Sequence, residues 1–196
     1  MKGAFNTRPP LPRYNTFWDV GVVVQYIRQL GHNHSLSLHL LTLKTVMLLA
    51  LTRPSRSVDL SRLDIKTRTF VASGVIFKPI HLSKQSQASH PIADFFFPSF
   101  NQDTSLCPVE TLKAYESRTL NFRAMDTDSP QTSLFLSWIG KHAPVSSSAI
   151  ARWLRTCLLE AGIDTSVFKP HSIRGASCSS AAWAGVTVAD ILKAAD

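Results

Sequence analysis

Residues 170–196 read PHSIRGASCSSAAWAGVTVADILKAAD, and this stretch carries the strongest pattern in the chain. The pattern predicts a helix that begins near Pro170 and continues past Ser180. His171 and Arg174 are three residues apart, so they lie on one face at the positive end of that helix. A guanidinium can grip two phosphoryl oxygens, and an imidazole can donate a hydrogen bond or move a proton near neutral pH. The pair therefore suits a phosphate, although a helix-capping His beside a surface Arg gives the same letters.

A second basic segment lies upstream, where a helical pattern reaches Thr52 and Pro54 breaks it. Ser55 or Ser57 can cap the short helix that follows. Arg56 is therefore predicted to lie in a sharp bend between two helices.

The remaining periodicity defines the fold class. The predicted helices run from a Thr16–Asp19 capping box to Gly31, from Leu38 towards Thr52, over Pro108 to Leu120, and from a Ser146–Ser148 cap to Gly162. Three β-rich pieces, at 69–71, 75–82 and 90–97, predict a small antiparallel sheet. The chain is expected to be mainly α with a small antiparallel β-sheet insertion, an α+β fold.

Composition narrows the class of protein. The 196 residues are 44% hydrophobic and 17% charged, which fits one globular domain. No apolar run is long enough for a membrane span, and the amino terminus has no secretory signal, so we expect an intracellular protein, nuclear in a eukaryotic cell. The net charge of +8 is expected of a protein that binds a polyanion. Three widely spaced cysteines, Cys107, Cys157 and Cys178, argue against a zinc site and are expected to be buried.

Residues 1–15 form a separate segment. They include Arg8-Pro9-Pro10-Leu11-Pro12-Arg13, whose fixed φ angles predict an extended proline-rich linker. The domain is expected to span residues 16–196.

The carboxy-terminal stretch resembles box II of the tyrosine recombinases, the phage integrase family, over Phe168 to Asp196. In that box P-H-x-[LI]-R opens a helix that ends at Gly, and Gly185 stands at the matching distance. Residues 49–60, LALTRPSRSVDL, are similar to box I, in which the catalytic Arg is followed by x-x-[ED]-L. Arg56 fits that spacing, and Arg53 is the alternative.

The same resemblance covers a β-hairpin that carries a catalytic Lys in the family. The segment from Ile80 through Ile92 is similar to it, with Lys84 as the expected residue and Lys78 as the alternative. Segments 106–109 and 145–163 resemble the DIRS-like retrotransposon branch, which implies a mobile element as the source.

The resemblance implies a catalytic domain for DNA recombination or integration, without metal or cofactor. A Tyr hydroxyl attacks a phosphodiester, a 3′-phosphotyrosine forms, and a 5′-hydroxyl resolves it. Arg56 and Arg174 would stabilise the charge on the phosphate, His171 would act as a base or donor, and Lys84 as the acid. The family's nucleophile follows box II, so it is expected beyond Asp196, and the chain as given is expected to be inactive.

Double-stranded DNA is the expected partner, with a homo-oligomer on DNA and with neither a membrane nor a small-molecule substrate. Arg53, Arg152 and Arg155 are expected to contact the DNA backbone. Two other interpretations stay open at this point. One is a decayed or domesticated recombinase that binds DNA without cleaving it, and the other is a basic helical interaction domain with no DNA role.

Overall fold

The computed structural model of the protein describes residues 16–80, 93–123 and 131–195. The helices are α1 (Val20–Gln29), α2 (Leu38–Thr52), α3 (Ser57–Ser61), α4 (Pro108–Arg123), α5 (Ser147–Glu160), α6 (Ser172–Trp183) and α7 (Val188–Ala195), with 3-10 turns at Asn33–Ser35 and Ile65–Thr67. The strands are β1 (Arg68–Val71), β2 (Gly74–Phe77) and β3 (Phe95–Pro98). The predicted fold class, mainly α with a small antiparallel sheet, is confirmed.

Helix α2 is the centre of the domain. Every residue from 41 to 50 is buried, because α4, α5, α6 and β3 all pack against this helix. Its sequence has no polar face, which is typical of a helix surrounded by protein. Thr42 and Thr45 lie inside this core because each hydroxyl donates to a carbonyl one turn earlier, at 2.7 and 2.6 Å.

Helix α1 begins differently from the prediction. The predicted Thr16–Asp19 capping box is wrong, because Asp19 itself is the N-cap and its carboxylate accepts from the Gly21 amide at 2.8 Å. The predicted stop at Gly31 is confirmed, since this residue has a φ of 82° that favours glycine. The buried ammonium of Lys44 donates to the Gly31 carbonyl at 2.8 Å and so fixes the end of α1 against α2.

The three strands are antiparallel in the order β1-β2-β3. Val75 pairs with Phe97 and Phe77 with Phe95, and these four side chains form the buried face. Gly74 lies where the chain passes closest to β3, since a Cβ atom there would be 2.3 Å from the Phe97 carbonyl oxygen.

β1 is one residue longer than the predicted 69–71, whereas β2 and β3 are shorter than the sequence predicted. β2 ends at Phe77, although the Lys78 amide still donates to Thr67 at 3.2 Å, and Pro79 has no amide to continue the ladder. β3 begins at Phe95, and residues 81–92 lie outside the described residues. The structure therefore shows the base of the predicted hairpin.

The carboxy-terminal helices follow their sequence signals. Ser146 caps α5 by accepting from the Ala149 amide at 3.3 Å, and Gly162 follows it with a φ of 85°, as predicted. α6 begins at Ser172, two residues after the predicted start, and Gly185 follows its end with a φ of 87°. Of the cysteines, Cys107 and Cys157 are buried as expected, whereas Cys178 on α6 is only half-buried. The predicted linker, residues 1–15, lies outside the described residues.

Candidate functional site

Arg56 lies in the bend between α2 and α3, as predicted. It is the N-cap of α3, and its backbone amide donates to the Asp59 carboxylate at 2.9 Å. The predicted cap at Ser55 or Ser57 is therefore wrong, because Ser55 is buried before the helix and Ser57 is its first residue. Leu60, fully buried, anchors α3 and leaves the Arg56 side chain exposed.

Arg53 has a different environment. It is the C-cap of α2 and only 4% exposed, and its guanidinium carbon lies 4.1 Å from the centre of the Phe95 ring. This is the geometry of a cation–π contact. Arg53 is thus buried whereas Arg56 is exposed. The DNA contact expected of Arg53 and the choice between Arg53 and Arg56 as the box I arginine stay predictions.

His171 and Arg174 lie at the start of α6. The neighbouring Ser172 and Ile173 are buried, and the Ser172 hydroxyl accepts from the Trp18 indole at 2.9 Å. His171 is exposed and Arg174 is half-buried. Anchoring one face of the first turn thus leaves the imidazole and the guanidinium on the other face.

The bend and the start of α6 are joined through α1 and α2. α2 leads directly into the bend of Arg56 and also packs against α6. Trp18, just before α1, contacts Ser172, so the amino-terminal end of α1 lies at the start of α6. α1 and α2 are connected at their other ends through the Asn33–Ser35 turn. The segments that resemble box I and box II are therefore both held in place by α1 and α2, which follow each other in the chain.

The two candidate lysines lie in the part of the chain between β2 and β3. Lys84 lies outside the described residues, and Lys78 is exposed directly after β2. The Arg53–Phe95 contact ties the start of β3 to the bend that carries Arg56. The base of the hairpin therefore contacts the end of α2 that leads into the bend of Arg56. The choice between the two lysines stays a prediction.

Arg152 and Arg155 lie on the outer face of α5. Both are exposed, while Trp153 and Leu154 between them are buried. Their spacing of three residues places them on one helix face. α5 packs against α3, and Arg56 is the N-cap of α3. Arg152 and Arg155 therefore lie on a helix that contacts the helix of Arg56.

The two described tyrosines are engaged elsewhere. The Tyr26 hydroxyl donates to the Glu160 carboxylate, and burial together with that hydrogen bond raises the pKa of Tyr26. Tyr115 is fully buried in the core, its hydroxyl oxygen accepts from the Leu136 amide at 3.0 Å, and burial raises its pKa. Neither hydroxyl is placed to attack a phosphate at the start of α6, and Tyr14 lies outside the described residues.

One buried arginine had no signal in the sequence. Arg123, at the end of α4, donates to the carbonyls of Ser133 and Leu134 at 2.5 and 2.7 Å, and burial lowers its pKa. These carbonyls lie ten and eleven residues further along the chain. Arg123 therefore stabilises the chain after α4 instead of contacting a ligand.

Within residues 16–80, 93–123 and 131–195, no helix has the length and hydropathy of a membrane span. The same described ranges contain no group of three or more His, Cys, Asp or Glu side chains that could hold a metal ion.

Comparison with known proteins identifies the fold. No protein-family model and no curated protein matches the chain. Solved structures do match, and they show that the fold is that of tyrosine recombinase catalytic domains.

Two of these structures are an XerA recombinase and a lambda integrase dimer bound to a COC′ core site. The first has a TM-score of 0.64 and 18% sequence identity, and the match covers 97% of this chain and 58% of that chain. The second has a TM-score of 0.54 and 13% identity, with 97% of this chain and 60% of that chain covered. The chain thus spans about three fifths of the length of these two proteins.

Proposed function

We infer that the chain acts in DNA recombination or integration, as the part of a tyrosine recombinase that binds DNA and activates the phosphate. One observation carries this proposal. The chain shares its fold with a recombinase over 97% of its length, and its P-H-x-x-R segment lies at the start of α6, with His171 exposed and Arg174 half-buried. A chance H-x-x-R has no reason to occur at that position of that fold.

The chemistry follows from the charges. When a Tyr hydroxyl attacks phosphorus, negative charge grows on the non-bridging oxygens until the bond to the 5′-oxygen breaks. Arg56 and Arg174, both permanently charged, would stabilise that charge before the reaction begins. His171 would hold or accept the proton of the nucleophile, and Lys84 would protonate the leaving 5′-oxygen. The reverse attack by a 5′-hydroxyl would then release the tyrosine.

A second candidate function is DNA binding without cleavage. Of the described tyrosines, Tyr115 is buried, and the Tyr26 hydroxyl binds Glu160. Neither of these two hydroxyls is oriented to attack a phosphate, so the described residues support binding and polarisation of a phosphate but not its cleavage. This behaviour is the one expected of a decayed or domesticated recombinase. The DIRS-like branch, a mobile-element source and assembly on DNA remain predictions.

A binding experiment tests the proposal. We expect the chain to bind a fluorescein-labelled 30-base-pair duplex, measured by anisotropy, with an affinity that falls steeply with salt. R56Q and R174Q should each remove one phosphate contact and weaken binding. Each should also make the slope of log K against log salt shallower by about 0.9.

R28Q is the matched control. Arg28 is exposed near the other end of α1 and is paired with Asp103 at 3.0 Å. R28Q removes one positive charge, as R56Q or R174Q alone does, but away from the candidate site, so it should leave DNA binding nearly unchanged. Equal weakening by R28Q, or no binding at 50 mM salt, would contradict the DNA role.

A further inference from the structure

A cleft of about 570 Å³ lies at the other end of the domain from Arg56 and His171. It is lined by His32, Asn33, His34, Thr104, Ser105, Glu110, Lys113, Ala114, Ser117 and Arg118. α2 separates the two regions, because it starts beside the Asn33–Ser35 turn and ends at the bend of Arg56. Fifteen residues of α-helix span about 22 Å. The cleft is therefore distinct from the candidate recombinase site.

One face of α4 forms the floor. Residues 110, 113, 114, 117 and 118 all line the cleft, and this spacing of three and four is one face of a helix. Lys113 and Arg118 bring two permanent positive charges, and Glu110 brings one negative charge that pairs with Lys113 at 2.8 Å. Such an exposed pair contributes little stability, so Lys113 can turn to an anionic ligand at small cost. The floor keeps a net positive charge.

The turn between α1 and α2 forms one wall. The rings of His32 and His34 stack with a centroid distance of 5.6 Å, and both side chains are exposed. Between them, the Asn33 amide donates to the Thr111 hydroxyl at 3.2 Å. The Lys44 hydrogen bond to the Gly31 carbonyl holds the chain two residues before this turn. The two imidazoles are thus held beside the positive floor.

The segment before α4 forms the opposite wall. Asp103 is paired with Arg28 and accepts from both the amide and the hydroxyl of Ser105, which holds the pKa of this carboxyl below its usual range. Its negative charge is therefore already neutralised by hydrogen bonds and a cation. Thr104 and Ser105 contribute hydroxyl groups to the cleft.

We propose that this cleft is a second binding site, which takes a small ligand with several phosphate groups. Phosphate oxygens are pure acceptors, and the lining offers guanidinium, ammonium, imidazole, amide and hydroxyl donors. The volume lies within the usual range for small-molecule sites, and its walls are held before the ligand arrives. A divalent metal is a poorer fit, since the described residues contain no group of three acidic, His or Cys side chains that could hold one.

The experiment uses inorganic tripolyphosphate as the probe. The full chain is titrated at 150 mM salt by calorimetry, and histidine ring signals are followed by NMR, with H32N and H34N variants to assign them. We expect saturable binding that shifts the signals of His32 and His34. A shift of His171, from the probe at the recombinase site, should be lost in an R56Q/R174Q chain, whereas the shifts of His32 and His34 should remain.

R118Q is expected to weaken binding about tenfold, because one charge-assisted hydrogen-bond pair is lost. K113Q provides an independent second variant in case R118Q fails to fold, since Arg118 also donates to the Leu36 carbonyl at 3.2 Å. R62Q is the charge-matched control, because Arg62 is exposed after α3 and does not line the cleft. Binding to R62Q should equal that of the unchanged chain.

A short duplex added in competition separates the two sources of phosphate. Displacement of tripolyphosphate from an R56Q/R174Q chain would assign the cleft to the nucleic acid backbone and overturn its assignment to a small ligand. No displacement would support a small polyphosphate ligand. The proposal is overturned if tripolyphosphate does not bind saturably, if R62Q weakens binding as much as R118Q, or if only His171 shifts. The last result would support phosphate binding at the recombinase site and refute phosphate binding in the cleft. The two proposals can therefore fail separately.

Discussion

The outer face of α5 offers a quantitative test of the DNA interface. Replacing both Arg152 and Arg155 with glutamine removes two exposed charges from one helix face and leaves the buried Trp153 and Leu154 unchanged. We expect the folded structure to survive, because surface substitutions usually change stability by less than about 0.5 kcal/mol. DNA affinity should fall at low salt, since two phosphate contacts are lost.

The expected size follows from counterion release. Each phosphate contact contributes about 0.9 to the slope of log K against log salt, so the double variant should be shallower by about 1.8. Between 50 and 200 mM salt, a change of about 0.6 decades, the unchanged chain should lose about tenfold more affinity than the variant. The gap between the two proteins should therefore narrow as salt rises.

Anisotropy titrations of a labelled duplex at four salt concentrations provide the measurement. R155Q alone should give half of the slope change, and R28Q should give none. Parallel lines for the unchanged chain and the double variant would refute the reasoning, because they would mean that neither arginine contacts a phosphate. A thermal unfolding midpoint within a few degrees of the original confirms that the variant is folded.

Four further results are expected. Incubating the chain with a nicked suicide duplex should give no covalent protein–DNA adduct, because the described tyrosines are not placed as nucleophiles, and an adduct on a denaturing gel would contradict this. G74A should lower the free energy of unfolding by about 1–3 kcal/mol in urea, since its Cβ would meet the Phe97 carbonyl at 2.3 Å, and an unchanged midpoint would count against the sheet register. R123M should lower the free energy of unfolding by about 2–4 kcal/mol in the same assay, because two buried carbonyls lose their hydrogen-bond donor. An unchanged free energy would disprove that Arg123 stabilises the chain after α4. The raised pKa of Tyr26 means that the unfolded chain loses this proton first, at its ordinary value of 10.0, so stability should hold below that pH and fall above it. The free energy of unfolding of Y26F should fall less steeply with rising pH between pH 8 and 11. Identical pH profiles for Y26F and the unchanged chain would contradict the Glu160 hydrogen bond.

The sequence predicted the ends of a helix well where the capping signal acts within one helical turn. Ser146 caps α5 through an amide three residues away, and Gly162 ends it through its own backbone angle. Both effects depend on neighbouring residues alone. The Arg56 bend was predicted for the same reason, since Pro54 breaks α2, yet the identity of the cap was missed because Asp59 reaches back to the Arg56 amide.

Features that depend on distant contacts could not be predicted. Nothing near Arg53 in the sequence indicates burial, because its partner Phe95 comes from another part of the chain. Arg123 looks like an ordinary polar residue at a helix end until the following segment folds back over it. The phosphate-suited cleft is formed by the segments around His32, Thr104 and Lys113, so no single motif contains it. For the candidate recombinase site, motif spacing predicted that His171 and Arg174 lie together at the start of a helix, where the structure has His171 as the N-cap of α6 and Arg174 in its first turn. Their relation to Arg56 depends on how α2 packs.

The contact between Arg53 and Phe95 also has a mechanical meaning. It joins the last turn of α2 to the first residue of β3 through a buried cation and a ring. A force that pulls on the hairpin between β2 and β3 is transmitted at this point to the bend that carries Arg56. F95L would remove this contact between the hairpin base and the bend while an apolar side chain still filled the space.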